Sequence, residues 1–235
     1  MMRFRYHLPI LAYHRVGELR SDHVPTVSAE TFERQLTFLK HRRYRVLSLD
    51  QIAELLDRGQ PLPARSAAIT FDDGYEETFT VAWPLLKRFG FPAAVFLTPA
   101  EVGLPGFANW DQCVTMAQNG MLLGCHTMSH SYLPLVPPAD LGKEVLESKR
   151  VLEGRLGRPV EYFSYPVGGF SAQIQQVVRD AGYRAACTTN RAWSHALDRF
   201  ALRRVKITER DANPVLFWAK LSGYYDTFRR LEQPA

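Results

Sequence analysis

Two adjacent aspartates stand at the end of an apolar segment of the sequence. Residues 67–71 are followed directly by Asp72, Asp73 and Gly74. Adjacent strand residues point to opposite faces, but a turn at Gly74 can bring both carboxylates into one pocket. The alternative is a turn in which one aspartate caps a helix that starts near Glu76. Two carboxylates in one pocket could separate metal binding from proton transfer.

Two histidines four residues apart form a second cluster. His126 and His130 come just after the apolar residues 121–124. This spacing allows two imidazoles to share a metal on a helical turn or a compact loop, although a capping histidine and a surface histidine would look the same. With Asp73 they supply three ligands. Three protein ligands and an open fourth position are typical of catalytic zinc rather than structural zinc.

These residues together predict hydrolysis. A metal bound by three protein ligands lowers the pKa of a bound water to about 7 and polarises a carbonyl oxygen. Asp72 is the remaining carboxylate, and it is placed to accept the proton of that water. We therefore predict the hydrolysis of an amide or ester with one divalent ion as cofactor, Zn²⁺ first and Co²⁺ or Ni²⁺ as alternatives.

Strands and helices alternate along nearly the whole sequence. The apolar runs predict strands at 8–13, 67–71, 93–97, 121–124, 160–163, 183–187 and 202–207. Between them, periodicity and capping residues predict helices at 28–42, from 49, and at 76–89, 111–119, 140–156, 171–182 and 214–231. Such alternation implies an α/β fold with a parallel sheet, either open or closed into a barrel. In both cases the site lies at the carboxyl ends of the strands.

The composition fits a single domain over residues 1–235. The chain is 46% hydrophobic and 23% charged, which excludes collagen, low-complexity disorder and a disulfide scaffold. No apolar run approaches the roughly 20 residues of a membrane span, so we expect no membrane insertion. The net charge of +5 comes without a dense basic run, so we expect no nucleic-acid partner. The oligomeric state is not predictable from these features.

The cysteines and the N-terminus bear on location. Cys113, Cys125 and Cys187 are widely spaced, and no C-x-x-C motif occurs. We interpret them as reduced thiols, with Cys125 a small buried residue rather than a ligand. The first apolar run is too short for the hydrophobic region of a signal peptide. Both features predict a cytoplasmic protein.

Three segments resemble the motifs of a known family, and they come in the family's order. They are Thr-Phe-Asp-Asp-Gly-Tyr at 70–75, His-Thr-Met-Ser-His at 126–130 and Ser-Tyr-Pro-Val-Gly at 164–168. The family is the polysaccharide deacetylases of carbohydrate esterase family 4. Residues 11–16 and 202–205 resemble the branch that acts on poly-N-acetylglucosamine and related sugars. The resemblance spans about residues 8–207.

The resemblance implies a distorted (β/α) barrel with about seven strands. It implies that Asp73, His126 and His130 bind the metal and that Asp72 is the general base. It also implies that the loop at Pro166 supplies a backbone amide that stabilises the oxyanion, which we place at Val167.

The sequence departs from the family pattern in two places. The third motif usually begins with an arginine that holds the catalytic aspartate, and here that residue is Ser164. The late motif usually carries a histidine that acts as general acid, and here Arg204 stands there. The branch with an early Tyr-His motif implies a rearrangement in which His14 protonates the leaving amine and Arg204 orients Asp72. A packed core histidine is the alternative role for His14, and His195 is the reserve acid.

Substrate contacts are expected from loops that follow the strands. The candidates are Tyr75, Trp110, Tyr132, Tyr165, Pro166, Val167 and Trp193. Aromatic faces stack on sugar rings, although each of these rings could instead serve packing.

The combined hypothesis is a metal-dependent N-deacetylase of a saccharide that contains an N-acetylhexosamine, with the acetylated amino sugar as its partner. A cytoplasmic location favours a soluble, lipid-linked or nucleotide-linked sugar precursor over mature cell-wall glycan. The alternatives are a C–N hydrolase acting on a small non-sugar amide, and a catalytically silent saccharide-binding module.

Overall fold

The computed structural model describes residues 8–20, 22–190, 198–223 and 225. The strands in chain order are β1 (Ile10–Tyr13), β2 (Arg15–Val16), β3 (Thr26–Val27), β4 (Arg45–Val46), β5 (Ser66–Phe71), β6 (Ala94–Leu97), β7 (Leu122–Cys125), β8 (Tyr162–Ser164), β9 (Ala185–Thr188) and β10 (Leu202–Lys206). The α-helices are α1 (Ala29–His41), α2 (Leu49–Asp57), α3 (Trp83–Phe89), α4 (Trp110–Gln118), α5 (Ser148–Leu156), α6 (Ala172–Asp180) and α7 (Pro214–Leu221).

Seven parallel strands close into a barrel. Their order is β1-β10-β9-β8-β7-β6-β5, and the pairing of β1 with β5 completes the ring. The short strand β4 adds to the outside of β5, and β2 pairs only with β3. The predicted α/β barrel of about seven strands is confirmed.

Side chains of each barrel strand alternate between the inner and the outer face. Even-numbered residues face inward in six of the seven barrel strands, and in β9 the inward residues are Ala185 and Cys187. Near the amino ends these inward residues are apolar, and α2 packs against them to close that end; the cluster includes Ile10, Ala68, Ala94, Phe96, Tyr162, Leu202 and Ile52. Gly124 makes room for the Phe96 ring, since a Cβ there would lie 2.5 Å from it. Toward the carboxyl ends the inward residues become polar, and this change places the site.

The outward residues of the barrel strands form the main core with the surrounding helices. Tyr13, Phe71 and Phe163 are fully buried in this layer. The hydroxyl of Tyr13 donates a hydrogen bond of 2.8 Å to Gln35 Oε1 on α1. The barrel strands are therefore fixed from both sides.

Four predicted helix starts coincide with side-chain caps. Ser28, Ser48, Asn109 and Ser171 each accept a hydrogen bond from a backbone amide in the first turn of the helix that follows. The helices expected at 28–42 and 171–182 start at Ser28 and Ser171, the helix expected from 49 follows Ser48, and Asn109 caps the helix expected at 111–119.

The structure corrects several element boundaries. Two expected helices begin with wider π-helical segments, Thr78–Ala82 and Lys143–Glu147, before their α-helical parts. The short strands β2, β3 and β4 were not predicted, because strands of two residues carry no periodicity. Helix α7 ends at Leu221, and residues 224 and 226–231 of the expected helix lie outside the described residues.

Two global features complete the description. Cys113, Cys125 and Cys187 are all buried free thiols. No helix among the described residues has the length and apolarity that a membrane crossing requires.

Candidate active site

Polar side chains from five strands converge at the carboxyl end of the barrel. Inward positions at or just beyond the strand ends carry His14, Asp72, His126 and Ser164, and Arg204 faces inward from within β10. Asp72, His126, Ser164 and Arg204 are all buried. Within each strand these residues lie on the same face as the inward residues that precede them, because strand side chains alternate.

Asp73, His126 and His130 bring three donor atoms together. Asp73 Oδ1 lies 3.5 Å from His126 Nε2 and 3.3 Å from His130 Nε2, and the three ligand atoms lie within 4.8 Å of one another. Atoms bound about 2.0–2.1 Å from a tetrahedral ion are about 3.4 Å apart. Asp73 Oδ1 is buried and has no hydrogen-bond partner among the described residues. The three residues therefore fit a divalent metal ion.

The protonation of His126 suits a ligand. Its Nδ1 lies 2.8 Å from the carbonyl oxygen of Ser164, which can only accept, so Nδ1 carries the proton. The lone pair of Nε2 then faces Asp73. Burial lowers the pKa of His126 and favours the neutral ring. A ligand histidine oriented by a carbonyl oxygen is a common arrangement around bound metals.

Left-handed backbone conformations gather at this site. Asp73, Thr127 and His130 have φ angles of 71°, 65° and 57°. Such conformations are disfavoured for residues other than glycine, and they cluster at functional sites. At Asp73 the turn breaks the alternation of the strand, so the carboxylates of Asp72 and Asp73 reach the same pocket.

Glu144 is a site residue that sequence reasoning missed. Its buried carboxylate accepts hydrogen bonds from the amides of Met128 and Ser129, at 3.0 and 3.1 Å, and from Ser129 Oγ at 2.8 Å. It therefore fixes the loop between the two histidines. A signal was present, because Glu144 lies on the same helical stripe as the buried Leu141, Val145 and Leu152.

Arg204 holds Asp72 through two hydrogen bonds. Its Nη1 and Nη2 donate to Asp72 Oδ1 and Oδ2 at 2.7 and 2.6 Å, and Nη2 also donates to Ser164 Oγ at 2.7 Å. Burial acts to raise the pKa of Asp72, but the charge and hydrogen bonds of Arg204, together with the charges of His126 and His14, outweigh it and hold that pKa well below its usual range. Asp72 is therefore ionised. The contact required by the orienting role of Arg204 is present, and the role itself stays a prediction.

His14 lies beside both aspartates. Its Nδ1 is buried and has no hydrogen-bond partner among the described residues. Burial lowers the pKa of the ring, while the charges of Asp72 and Asp73 act in the opposite direction. This polar setting differs from that of a packed core histidine. The reserve acid His195 falls outside the described residues.

The loop at Pro166 has an unusual backbone. Val167 has a φ of 56°, which is rare for a β-branched residue, and its side chain is exposed. The amides of Gly168 and Gly169 donate to Tyr165 and Pro166 within the turn. Gly168 has a φ of 79°, and a Cβ there would lie 2.5 Å from Thr189 Oγ1. Close packing thus fixes the turn that presents Val167.

The structure places two of the expected aromatic residues in packed positions. The Tyr165 ring is fully buried against Phe170, because the odd-numbered residues of this strand face the outer core. It offers no face to a sugar. Trp110 opens α4, and the guanidinium of Arg155 covers it at 5.4 Å from the ring centre.

Tyr75 and Tyr132 lie closer to the aspartate and histidine motifs. Tyr75 is largely buried, stacked on Phe107 with the Arg15 guanidinium 4.4 Å from its centre. Tyr132 is exposed, and its ring lies against the backbone of Gly169, where a Cβ would meet it at 2.0 Å. Trp193 falls outside the described residues. Tyr132 thus presents an aromatic edge next to the Val167 turn.

Comparison with known proteins gives a consistent result. The family described as polysaccharide deacetylase matches residues 59–186, which is more than half of the chain. This stretch contains Asp72 and the three metal-ligand candidates.

Curated relatives are 27–29% identical to the chain over the residues that align. The chain is 29% identical over 202 residues to YxkH of Bacillus subtilis (strain 168), named as a polysaccharide deacetylase, covering 86% of this chain and 71% of that protein. It is 27% identical over 173 residues to the poly-beta-1,6-N-acetyl-D-glucosamine N-deacetylase of Staphylococcus aureus (strain MSSA476), covering 68% of this chain and 59% of that protein. The Escherichia coli (strain K12) enzyme of the same name is 27% identical over 139 residues, and 21% of its length is covered.

Solved structures share the fold over nearly the whole described chain. The Streptococcus pyogenes deacetylase PplD, in complex with acetate, has a TM-score of 0.81 and 26% identity, covering 90% of this chain and 96% of that one. IcaB from Ammonifex degensii has a TM-score of 0.78 and 27% identity, covering 92% and 98%.

Proposed function

The chain belongs to the polysaccharide deacetylase family, and we propose that it removes the N-acetyl group from an N-acetylhexosamine unit of a saccharide with one divalent metal ion as cofactor. The observation that carries the proposal is the convergence of Asp73, His126 and His130 beside the ionised pair of Asp72 and Arg204. This arrangement joins a metal site to a buried carboxylate in one pocket.

Asp73, His126 and His130 would hold the metal. When bound, the ion polarises the acetyl carbonyl and makes a water molecule more acidic. Zn²⁺ is the ion we propose, because two imidazoles and one carboxylate are ligands typical of catalytic zinc. Co²⁺ and Ni²⁺ are alternatives that the same donors accept.

Asp72 would accept a proton from the attacking water. Arg204 keeps the carboxylate ionised and fixes its orientation through both oxygens. The ion pair also makes Asp72 a weaker base, so the reaction depends on an acidified water. The water oxygen adds to the acetyl carbon, the C–N bond breaks, and acetate separates from the free amine.

His14 would deliver a proton to the amine nitrogen. Burial lowers its pKa, so the ring is neutral near pH 7 and must gain a proton before it can donate one. The proton that Asp72 takes from water enters the same pocket. One proton can thus serve both steps, with Asp72 as acceptor and His14 as donor.

The backbone amide of Val167 would stabilise the oxyanion. The left-handed conformation of Val167 and the close packing of Gly168 preset this turn. A donor whose position is fixed before reaction needs no reorganisation as charge develops.

The sugar substrate is supported by the relatives' names and by the open edge of the site. Two matched relatives are named for a poly-N-acetylglucosamine substrate. Tyr132 and Val167 expose an apolar edge at the mouth where a sugar ring could lie. The cytoplasmic location, and the extent of one catalytic domain over residues 1–235, stay predictions.

Release of acetate from defined substrates tests this proposal. Purified protein, stripped with a chelator and reloaded with Zn²⁺, is assayed with N-acetylglucosamine oligomers, single acetylated amino sugars and small non-sugar acetamides. We expect acetate and free amine in equal amounts from the sugars. Turnover of only the non-sugar amides would favour the small-amide alternative. Sugar binding without acetate release would favour a silent binding module.

A further inference from the structure

Lys206 lies on the inner face of β10, two residues nearer the barrel mouth than Arg204. The strand register pairs Ile10 with Arg204 and Ala12 with Lys206. Arg204 points into the barrel, because its guanidinium reaches Asp72. Residues two apart on a strand share a face, so Lys206 points into the mouth, where it is exposed.

Lys206 stands on the His14 side of the site. Ala12, its register partner, is two residues before His14 on the neighbouring strand. The positive charge of Lys206 contributes to lowering the pKa of His14, after the larger effect of burial. In the part of the chain that the structure describes, no carboxylate lies within 4.0 Å of Lys206 Nζ.

A cavity of about 760 Å³ adjoins this lysine. Its walls come from residues 19, 20 and 22–26, from residues 206 and 208–211, and from α7 and Tyr225. The three acidic residues on these walls already have partners, since Asp22 pairs with Arg15 and Asp211 with Lys220. Glu209 accepts hydrogen bonds from the start of α1.

Two cationic side chains on the same walls are free of carboxylate partners in the part of the chain that the structure describes. Lys206 and Arg210 are both exposed, and neither forms an ion pair within the described ranges. Since the acids are neutralised by their partners, the cavity wall that carries Lys206 and Arg210 presents positive charge, and Lys206 connects this wall to His14.

We propose that Lys206, assisted by Arg210, binds a phosphate group carried by the amino-sugar substrate. This inference rests on the proposed deacetylase function and specifies its substrate class. His14 serves the amine nitrogen, so Lys206 lies on the sugar side of the bond that breaks. A lysine ammonium is a compact charge suited to phosphate oxygens.

Paired substrates test the proposal. N-acetylglucosamine 1-phosphate carries the charge, and methyl N-acetylglucosaminide is its neutral counterpart. For the wild type, we expect kcat/KM to favour the phosphate about 10- to 100-fold, as one charged hydrogen bond allows. In Lys206→Ala this ratio falls toward one through a higher KM, and Lys206→Arg retains most of it. Lys143→Ala, at an exposed lysine of the outer helices, retains the wild-type ratio.

Calorimetric binding of N-acetylglucosamine 1-phosphate to metal-free protein separates the two proposals. If metal-free protein binds this sugar through Lys206 and the Zn²⁺-loaded protein turns over neither sugar, the phosphate site is supported and the deacetylase function is contradicted. Equal kcat/KM values for both sugars in the wild type would overturn the phosphate site. So would a Lys206→Ala variant that keeps the preference and only weakens inhibition by acetate, since Lys206 would then serve the released product.

Discussion

The guanidinium of Arg204 donates two hydrogen bonds, 2.7 and 2.6 Å long, to the two carboxylate oxygens of Asp72 inside the barrel. The residues lie on β10 and at the end of β5, two strands that do not neighbour each other in the barrel. Ser164 completes the group from a third strand. Its hydroxyl stands where the related motif has an arginine, so the positive charge reaches Asp72 from another strand.

Replacing Arg204 should move the pH dependence of the reaction. Arg204 lowers the pKa of Asp72, so its loss raises that pKa and shifts the acidic limb of the kcat/KM profile to higher pH. Arg204→Lys should shift the limb less than Arg204→Ala, because it keeps the charge but loses the paired geometry. Arg204→Ala leaves a buried carboxylate unpaired, at a cost of about 3–5 kcal/mol in unfolding free energy.

The matched control for this prediction is the neighbouring Arg203→Ala. Its side chain points to the opposite face of the strand, so the acidic limb should stay in place. An Arg204→Lys profile identical to that of the wild type would contradict the orienting role of Arg204.

Substitutions of the adjacent residues Asp72 and Asp73 should affect different properties, turnover in one case and metal binding in the other. Asp72→Asn should keep its metal but lose about 10²–10⁴-fold in kcat, because the amide cannot accept a proton. Asp73→Asn should lose metal affinity, because an anionic ligand becomes neutral. Metal content and acetate release of both variants check this, and near-normal turnover by Asp72→Asn would remove Asp72 from the mechanism.

His14→Ala should discriminate between leaving groups. An amine leaves poorly without a proton, whereas an activated ester needs none. The variant should therefore slow N-acetyl sugars far more than nitrophenyl acetate. His41→Ala, at an exposed site at the end of α1, serves as control and should affect neither substrate. Equal losses on both substrates would assign His14 another role.

Glu144→Gln should weaken metal binding without touching a ligand. Glutamine has the size of glutamate, but one of its two terminal groups is an NH₂ donor and it carries no charge. The backbone amides of Met128 and Ser129 donate to Glu144, so the substitution weakens the hydrogen bonds that hold this loop. We expect metal affinity to fall about 10- to 100-fold, as for other residues that orient ligands. The absorption spectrum of Co²⁺-loaded protein should also change, which a purely structural role would not require. Glu147→Gln, exposed on the same turn, should match the wild type.

Strand alternation made much of this arrangement predictable. Apolar runs followed by Asp72 and His126 mark strand ends, and parallel strands bring their ends together. Closure of the ring by β1 and β5 was less accessible, because pairing between segments over 50 residues apart leaves no local pattern.

The parts that could not be predicted depend on backbone conformation and on distant contacts. Left-handed φ angles at Asp73, Thr127 and His130 run against the preferences of those residues. They persist because surrounding contacts hold them, among them the hydrogen bonds of Glu144 to the loop between the histidines. Tyr165 differs in the other direction. Its position in a motif suggests substrate contact, but its side chain lies on the outward face of its strand and packs in the outer core.

Metal content measured together with acetate release tests the central claim most directly. Wild-type protein, His126→Ala and His130→Ala are each stripped, dialysed against Zn²⁺ and analysed by atomic emission alongside a sugar deacetylation assay. The account predicts one ion per chain and acetate release in the wild type, with both lost in each variant. Full metal occupancy in both variants, or unchanged acetate release by the stripped wild type, would contradict it.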